Sequence, residues 1–175
     1  MNEALMYAKY NQAGNRKVYE LLSGLSNEIR EKDRGSYYGS LSGLMRHVIG
    51  GTYYFLSLFK TPLKNEDKAL KAIASLPPMP PEGSLNEAQW KELGVILEEV
   101  DAAYISMAES LTESDLQMPV KIEWYEGNPD SVPLSFMLSQ LLVHNTHHRG
   151  QISQLLDALE IANDYSGIDI AFFTP

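Results

Sequence analysis

Three of the four histidines of this 175-residue chain fall in one stretch, His144-Asn145-Thr146-His147-His148-Arg149-Gly150-Gln151. The stretch lies within an apolar-periodic run, Leu134 to Leu159, whose spacing predicts a helix. Residues four apart on a helix share a face, one turn above the other, so His144 and His148 point the same way. Two imidazoles so placed can share one metal ion, as in the helical two-His motif of metalloproteases. That motif carries a Glu between its histidines. Here Asn145, Thr146 and His147 intervene, and the protease reading fails.

His144 and His147, three apart, are the competing pair, and their neighbours decide between them. At helical spacings His148 has Leu141, His144, Asn145, Gln151, Ile152 and Leu155, whereas His147 has Gln140, Val143, His144, Gly150, Gln151 and Gln154. His148 is on the more apolar stripe and is expected to face inward with His144, leaving His147 near the rim. Two ligands are too few for a catalytic zinc-type site, which uses three protein ligands and an open position. The chain has no cysteine, so thiolate ligands are excluded. The remaining histidine, His47, lies in a second helical run with Leu44, Val48, Gly51, Tyr54 and Phe55 on or beside its face. Gly43, Gly50 and Gly51 surround it at helical spacings. Glycine weakens a helix interior by about 0.5–1 kcal/mol relative to alanine; three of them suggest close approach or free volume. His47 is therefore expected to cross from a neighbouring helix and complete a three-His site. The opposing reading is that each histidine is a core residue hydrogen-bonded internally. Burying three neutral imidazoles is costly unless every ring nitrogen finds a partner, and one metal ion satisfies a nitrogen on each.

One His on the second helix followed by H-x-x-x-H-R-G-Q on the last resembles the DinB-like (damage-inducible) family of metalloenzymes, in the DinB/YfiT-like superfamily. The matching residues are His47 and His144 through Gln151, with His144 and His148 in the ligand positions. Tyr10-Asn11, the Glu126-Gly127 turn and the tail around Asp169 extend the similarity over most of the chain. The resemblance implies a four-helix bundle, a divalent metal held by His47, His144 and His148, and a homodimer. Some relatives are thiol-dependent transferases or isomerases that bind a low-molecular-weight thiol at the metal, and most members have no assigned reaction.

The elements that must position these residues follow from periodicity. A first helix is expected from Glu3 to Leu25, stopped near Gly24, with Asn11 either solvated or hydrogen-bonded to a neighbouring helix, or else Tyr10 or Asn11 reaching the site. Asn27 to Gly39 reads as a connection. Ser40 caps a second helix running to Phe59, whose Tyr53, Tyr54, Phe55 and Phe59 read as core. Residues 60–83 form a long crossover, with a short helix over Lys64–Ala74 and a break at Pro77, Pro78, Pro80 and Pro81. Ser84 and Glu87 read as a capping box for a third helix ending near Leu111, with Glu98, Glu99 and Asp101 on its solvated face. Val120, Ile122 and Trp124 alternate as a strand does, so a small hairpin or extended loop is expected before the last helix, which Pro133 opens. Phe172 and Phe173 would pin the tail. The fold class expected is all-α: a four-helix bundle in a single domain, residues 1–175, with a long crossover between helices two and three.

Composition narrows the function. The 14 Lys and Arg against 23 Asp and Glu give a formal charge of −9, which repels phosphate backbones and disfavours nucleic-acid partners. No run approaches the roughly 18 apolar residues of a membrane span, and Met1–Lys17 lacks a signal-type apolar stretch, so a cytoplasmic protein is expected. The function expected is a divalent-metal-dependent enzyme acting on a small molecule, a thiol-dependent transferase or isomerase, or a hydrolase. Zinc or nickel is expected foremost and iron next, although imidazole suits zinc, nickel, copper and iron alike, so ligand type does not choose among them. Glu126 and Tyr10 are the candidate general bases, and no catalytic residue is assigned. The alternatives are a non-catalytic metal-binding stress-response module and a metal-free structural dimeric bundle.

Overall fold

The computed structural model describes residues 3–60, 63, 78–122 and 131–164. The expected helix over Lys64–Ala74, the Glu126-Gly127 turn, Asp169 and the Phe172-Phe173 anchor lie outside these residues. Among those described the chain is all-α apart from one small hairpin. In order the elements are α1 (Glu3–Ser23), α2 (Asn27–Glu31), α3 (Leu41–Phe59), α4 (Glu87–Ser110), α5 (Glu113–Leu116), β1 (Pro119–Lys121), β2 (Ser131–Pro133) and α6 (Leu134–Asp157).

Each long helix buries one stripe. On α1 the buried positions are Ala4, Ala8, Asn11, Gly14, Asn15, Val18 and Leu22, steps of three and four that define one helical face. Gly24 follows the last turn, and its N–H donates to the carbonyls of Glu20 and Leu21, both at 3.2 Å. The segment read as a connection contains α2, capped by Ser26. Its Arg30 is 1% exposed and pairs with Glu87 of α4 at 2.6 Å. The same guanidinium lies over the Trp90 ring at 4.9 Å, which ties α2 to the start of α4. Sequence patterning missed this helix because five residues hold too little periodicity to register.

Ser40 caps α3 as expected, its hydroxyl accepting from the Gly43 N–H at 3.0 Å. Gly43 is required here, since a Cβ would lie 2.0 Å from the Tyr38 carbonyl oxygen. The cap of α4 falls two residues later than the sequence suggested. Asn86, not Ser84, accepts from the Gln89 N–H, and the Gln89 side chain accepts from the Asn86 N–H. Both frames read as capping boxes. The frame that wins also buries Leu85 just before the cap and Trp90 in the first turn, the positions of a hydrophobic staple. The hairpin pairs Val120 with Val132 and ends at Pro119 opposite Pro133, one step beyond which the Leu134 N–H donates to the Met118 carbonyl at 2.9 Å. Pro133 then serves as the N-cap of α6.

The four long helices make their main contacts in four pairs: α3 with α6, α1 with α4, α1 with α6, and α3 with α4. Leu22, Leu44, Leu56, Leu93, Tyr104, Leu141 and Ile152 belong to one buried core between them. The most extensive contact joins α3 and α6, the helices that carry the four histidines. The described end of the crossover is tied to α2 and α3: Pro80 accepts from Arg46 Nε at 2.9 Å, and the Leu85 N–H donates to Glu31 at 2.9 Å. No described helix is long and apolar enough to cross a membrane.

Candidate metal centre

The face of α3 that bears His47 packs on the face of α6 that bears His144 and His148. His47 Nε2 lies 3.0 Å from His144 Nε2 and 3.1 Å from His148 Nε2. The three ring nitrogens lie within 4.8 Å of one another. His148 is 8% exposed and His144 half-buried, whereas His147 is exposed. The inward pair and the rim residue therefore fall as helical spacing placed them.

Gly51 makes this approach feasible, because a Cβ there would stand 2.5 Å from Cε1 of the His144 ring. Of the three glycines around His47, Gly43 and Gly51 have backbone or ring atoms where a side chain would go. Gly50 has only the Met79 methyl at an ordinary 3.5 Å.

The outer nitrogens of the α6 pair are held by amide oxygens. His144 Nδ1 lies 3.0 Å from Asn145 Oδ1, and His148 Nδ1 lies 2.8 Å from Gln151 Oε1. Asn145 is fully buried. Its Nδ2 donates to Thr52 Oγ1 at 2.8 Å, and that hydroxyl donates in turn to the Val48 carbonyl at 3.1 Å. This chain fixes which end of the amide faces His144. An amide oxygen only accepts, so His144 Nδ1 carries the proton and its Nε2 presents a lone pair to the cluster. The same device orients metal-ligating histidines.

Burial keeps the cluster neutral. Desolvation, helped by the proximity of His148, His144 and Arg46, pushes the His47 pKa down to about 4. Burial also lowers the pKa of His144 and His148, against the upward pull of Asn145 and Gln151. Neutral imidazoles are the ligating form. Two nitrogens each about 2.0–2.1 Å from one zinc ion at a tetrahedral angle lie roughly 3.3 Å apart, within a few tenths of an ångström of the two spacings that His47 Nε2 makes. Three converging ring nitrogens, with the His144 tautomer fixed through Asn145, fit a divalent cation.

A phenol absent from the expected set completes the centre. Tyr38 Oη is 2.9 Å from His47 Nε2, and the two rings stack at 3.9 Å. Tyr10, the phenol that sequence reading favoured, lies over the Arg149 guanidinium at 5.7 Å. Glu126 is outside the described residues. Asn11 binds a neighbouring helix, its Oδ1 accepting from Arg149 Nη1 at 3.0 Å. Arg149 also donates to Asn15 Oδ1 at 2.8 Å and to Thr146 Oγ1 at 3.1 Å, and it passes close over Gly14, where a Cβ would meet Nε at 3.0 Å. Asn15 Nδ2 donates to Asp101 at 3.3 Å. Asp101 is 2% exposed, which corrects its expected place on a solvated face. Glu98 does face solvent, paired with Arg16 at 2.7 Å.

Two cavities flank the histidines. One, of about 380 Å³, is lined by Tyr54, Phe55, Val143, His144 and His148 among others. The other, of about 650 Å³, includes Glu31, Asp33, Tyr38, Arg46, His47 and Glu82 in its wall. Tyr54 and Phe55 thus border the centre, although sequence reading gave them only to the core. Tyr54 is in fact 49% exposed.

Searches of curated proteins and of solved structures return no match. The DinB family matches residues 1–159, which takes in all three converging histidines, and the chain belongs to the DinB family.

Proposed function

We propose that this chain is a divalent-metal-dependent enzyme acting on a small molecule, with His47, His144 and His148 as the ligands. The observation that carries the reading is the convergence of the Nε2 atoms of three neutral histidines between two cavities, with Nδ1 of His144 and of His148 facing the amide oxygens of Asn145 and Gln151. Four helices in pairwise contact support the four-helix-bundle reading, in which a metal site is built from side chains on facing helices. Zinc or nickel suits the imidazole set, with iron the next choice. A bound ion of this kind supplies Lewis acidity and lowers the pKa of a coordinated water or thiol.

The chain's own contributions are distinct. Asn145 holds the Nδ1 proton of His144, and Gln151 faces Nδ1 of His148. Gly51 gives the His144 ring room. Tyr38 keeps a hydroxyl beside His47 Nε2, where it can donate to an oxygen arriving at the centre. Any thiol nucleophile must come from outside, since the sequence has no cysteine. We further propose that the protein is a homodimer, so that light scattering should return twice 19.6 kDa. Elemental analysis of protein purified without a His tag tests the main reading, followed by an activity screen with thiols and electrophiles. About one equivalent of metal per chain is expected. Absence of metal under every loading condition would defeat the proposal.

A further inference from the structure

The two cavities differ in character. The larger has three carboxylates and a guanidinium in its wall. The smaller has none among its described lining residues: Tyr54, Phe55 and Val143 face the imidazoles of His144 and His148 there. Val143 is 61% exposed and Tyr54 49%, so two large apolar side chains are left facing solvent beside a candidate metal. Isolated exposed apolar residues are ordinary. A pair that closes an apolar cavity onto ligating histidines is what a small-molecule pocket looks like, mostly apolar with a few polar groups to orient the ligand. Size supports the same use, because an apolar cavity of roughly 150 Å³ already admits a benzene ring and this one measures about 380 Å³.

Resting on the metal reading above, we infer that the Tyr54–Phe55–Val143 cavity binds the hydrocarbon part of the substrate, an uncharged aryl or branched alkyl group. The oxygen-bearing head of that substrate is directed to the His47–His144–His148 centre. Among the described residues that line this cavity there is no carboxylate, ammonium or guanidinium, the remaining polar members being Gln140 and His147, whereas an apolar group exchanges water for Phe55 and Val143. The polar cavity on the Tyr38 side then takes the hydrophilic remainder or a second reactant.

Acetohydroxamate and benzohydroxamate test this, since they share a metal-chelating head and differ in methyl against phenyl. Titrated into the full-length, cobalt-loaded protein and followed by visible absorption, benzohydroxamate should bind at least about 10-fold more tightly, from burial of the ring. Val143→Asp and Tyr54→Asp alter side chains that are 61% and 49% exposed. Each should remove most of that preference while acetohydroxamate affinity stays within about twofold. Glu82→Gln, in the opposite cavity, should leave the preference intact. Equal affinity of the two probes, or a preference that survives both aspartate variants, overturns the inference while leaving the metal reading standing. Failure to bind cobalt defeats the metal reading instead. The cavity is then read in the metal-free chain, where benzyl alcohol should give a saturable shift of the Val143 methyl resonances, and no shift overturns the inference.

Discussion

Tyr38 Oη and His47 Nε2 lie 2.9 Å apart, and that nitrogen is the one facing His144 and His148. The phenol is thus beside the three-nitrogen face without replacing any of its members. Tyr38→Phe keeps the ring stacked on His47 and removes only the hydroxyl. It should retain about one equivalent of metal, with acetohydroxamate binding several-fold weaker, as the loss of one hydrogen bond of about 0.5–1.5 kcal/mol implies. Calorimetric titration of metal and then of hydroxamate measures both. A variant that loses the metal altogether would make Tyr38 a ligand.

The clustered histidines should separate cleanly. His47→Ala, His144→Ala and His148→Ala each remove a converging Nε2. Metal affinity should fall by about 100-fold or more, and the melting temperature should lose its sensitivity to chelator, because the ion stabilises only the folded state. His147→Ala changes an exposed side chain and should leave both properties near the parent values. Gln151→Ala frees one Nδ1 and should weaken binding by roughly 10- to 100-fold, less than any ligand change. If His147→Ala lost metal while His148→Ala kept it, the helix face would be misassigned.

Adjacent glycines on α3 should respond in opposite directions. An alanine methyl at Gly51 meets a ring pinned through Asn145 to Thr52. Gly51→Ala should cost about 1–3 kcal/mol of stability, as overpacking does, and weaken metal binding. At Gly50 a methyl meets the Met79 terminus at an ordinary distance, so Gly50→Ala should stabilise by about 0.5–1 kcal/mol. Denaturant melts of the two variants decide the matter; a destabilised Gly50→Ala with a neutral Gly51→Ala would contradict it.

Asp101 sets a pH dependence of opposite sign to that of the histidines. Burial raises its pKa to about 7, although Asn15 and Arg149 pull it down. The folded chain then holds a proton that the unfolded chain releases near 3.8, so stability declines as pH rises through that window. His47, lowered to about 4 from 6.5, does the reverse: its contribution is complete above about 6.5 and lost as pH falls toward 4. Asp101→Asn keeps an oxygen for Asn15 and removes the titration. Its melting temperature relative to the parent should climb between about pH 4 and pH 8 and then level. A difference that stays flat with pH would show that Asp101 ionises as an ordinary carboxylate.

Position was more legible in the sequence than residue type. Spacing put His144 and His148 inward and His147 at the rim, and the glycines around His47 signalled a close neighbour. Leu97, Val100, Asp101 and Tyr104 are spaced as one helical stripe, and all four are buried. Asp101 was misread because an acidic side chain beside Glu98 and Glu99 suggests solvent. Asn11 and Asn15 follow the same pattern on α1, where period and polarity disagree and period prevails. Tyr38 had no period to betray it. It sits between Gly35 and Gly39, with φ of 69° and 73°, in a segment whose path is set by backbone turns rather than by a repeating face. Asn145 was legible as a helix residue but not as the link to Thr52, because that partner is on another element.

His148 and Arg149 are consecutive on α6, yet one faces α3 and the other α1. A helix turns about 100° per residue, so these two attachments share a single register. Inserting or deleting one residue between Leu134 and Val143 would swing His144, Asn145, His148 and Arg149 together, breaking the α3 and α1 contacts at once. No compensating slide of the helix restores one without displacing the other. Length variation along this part of the chain is therefore tolerable only ahead of Pro133 or beyond Asp157, and α6 behaves toward insertion as one indivisible unit.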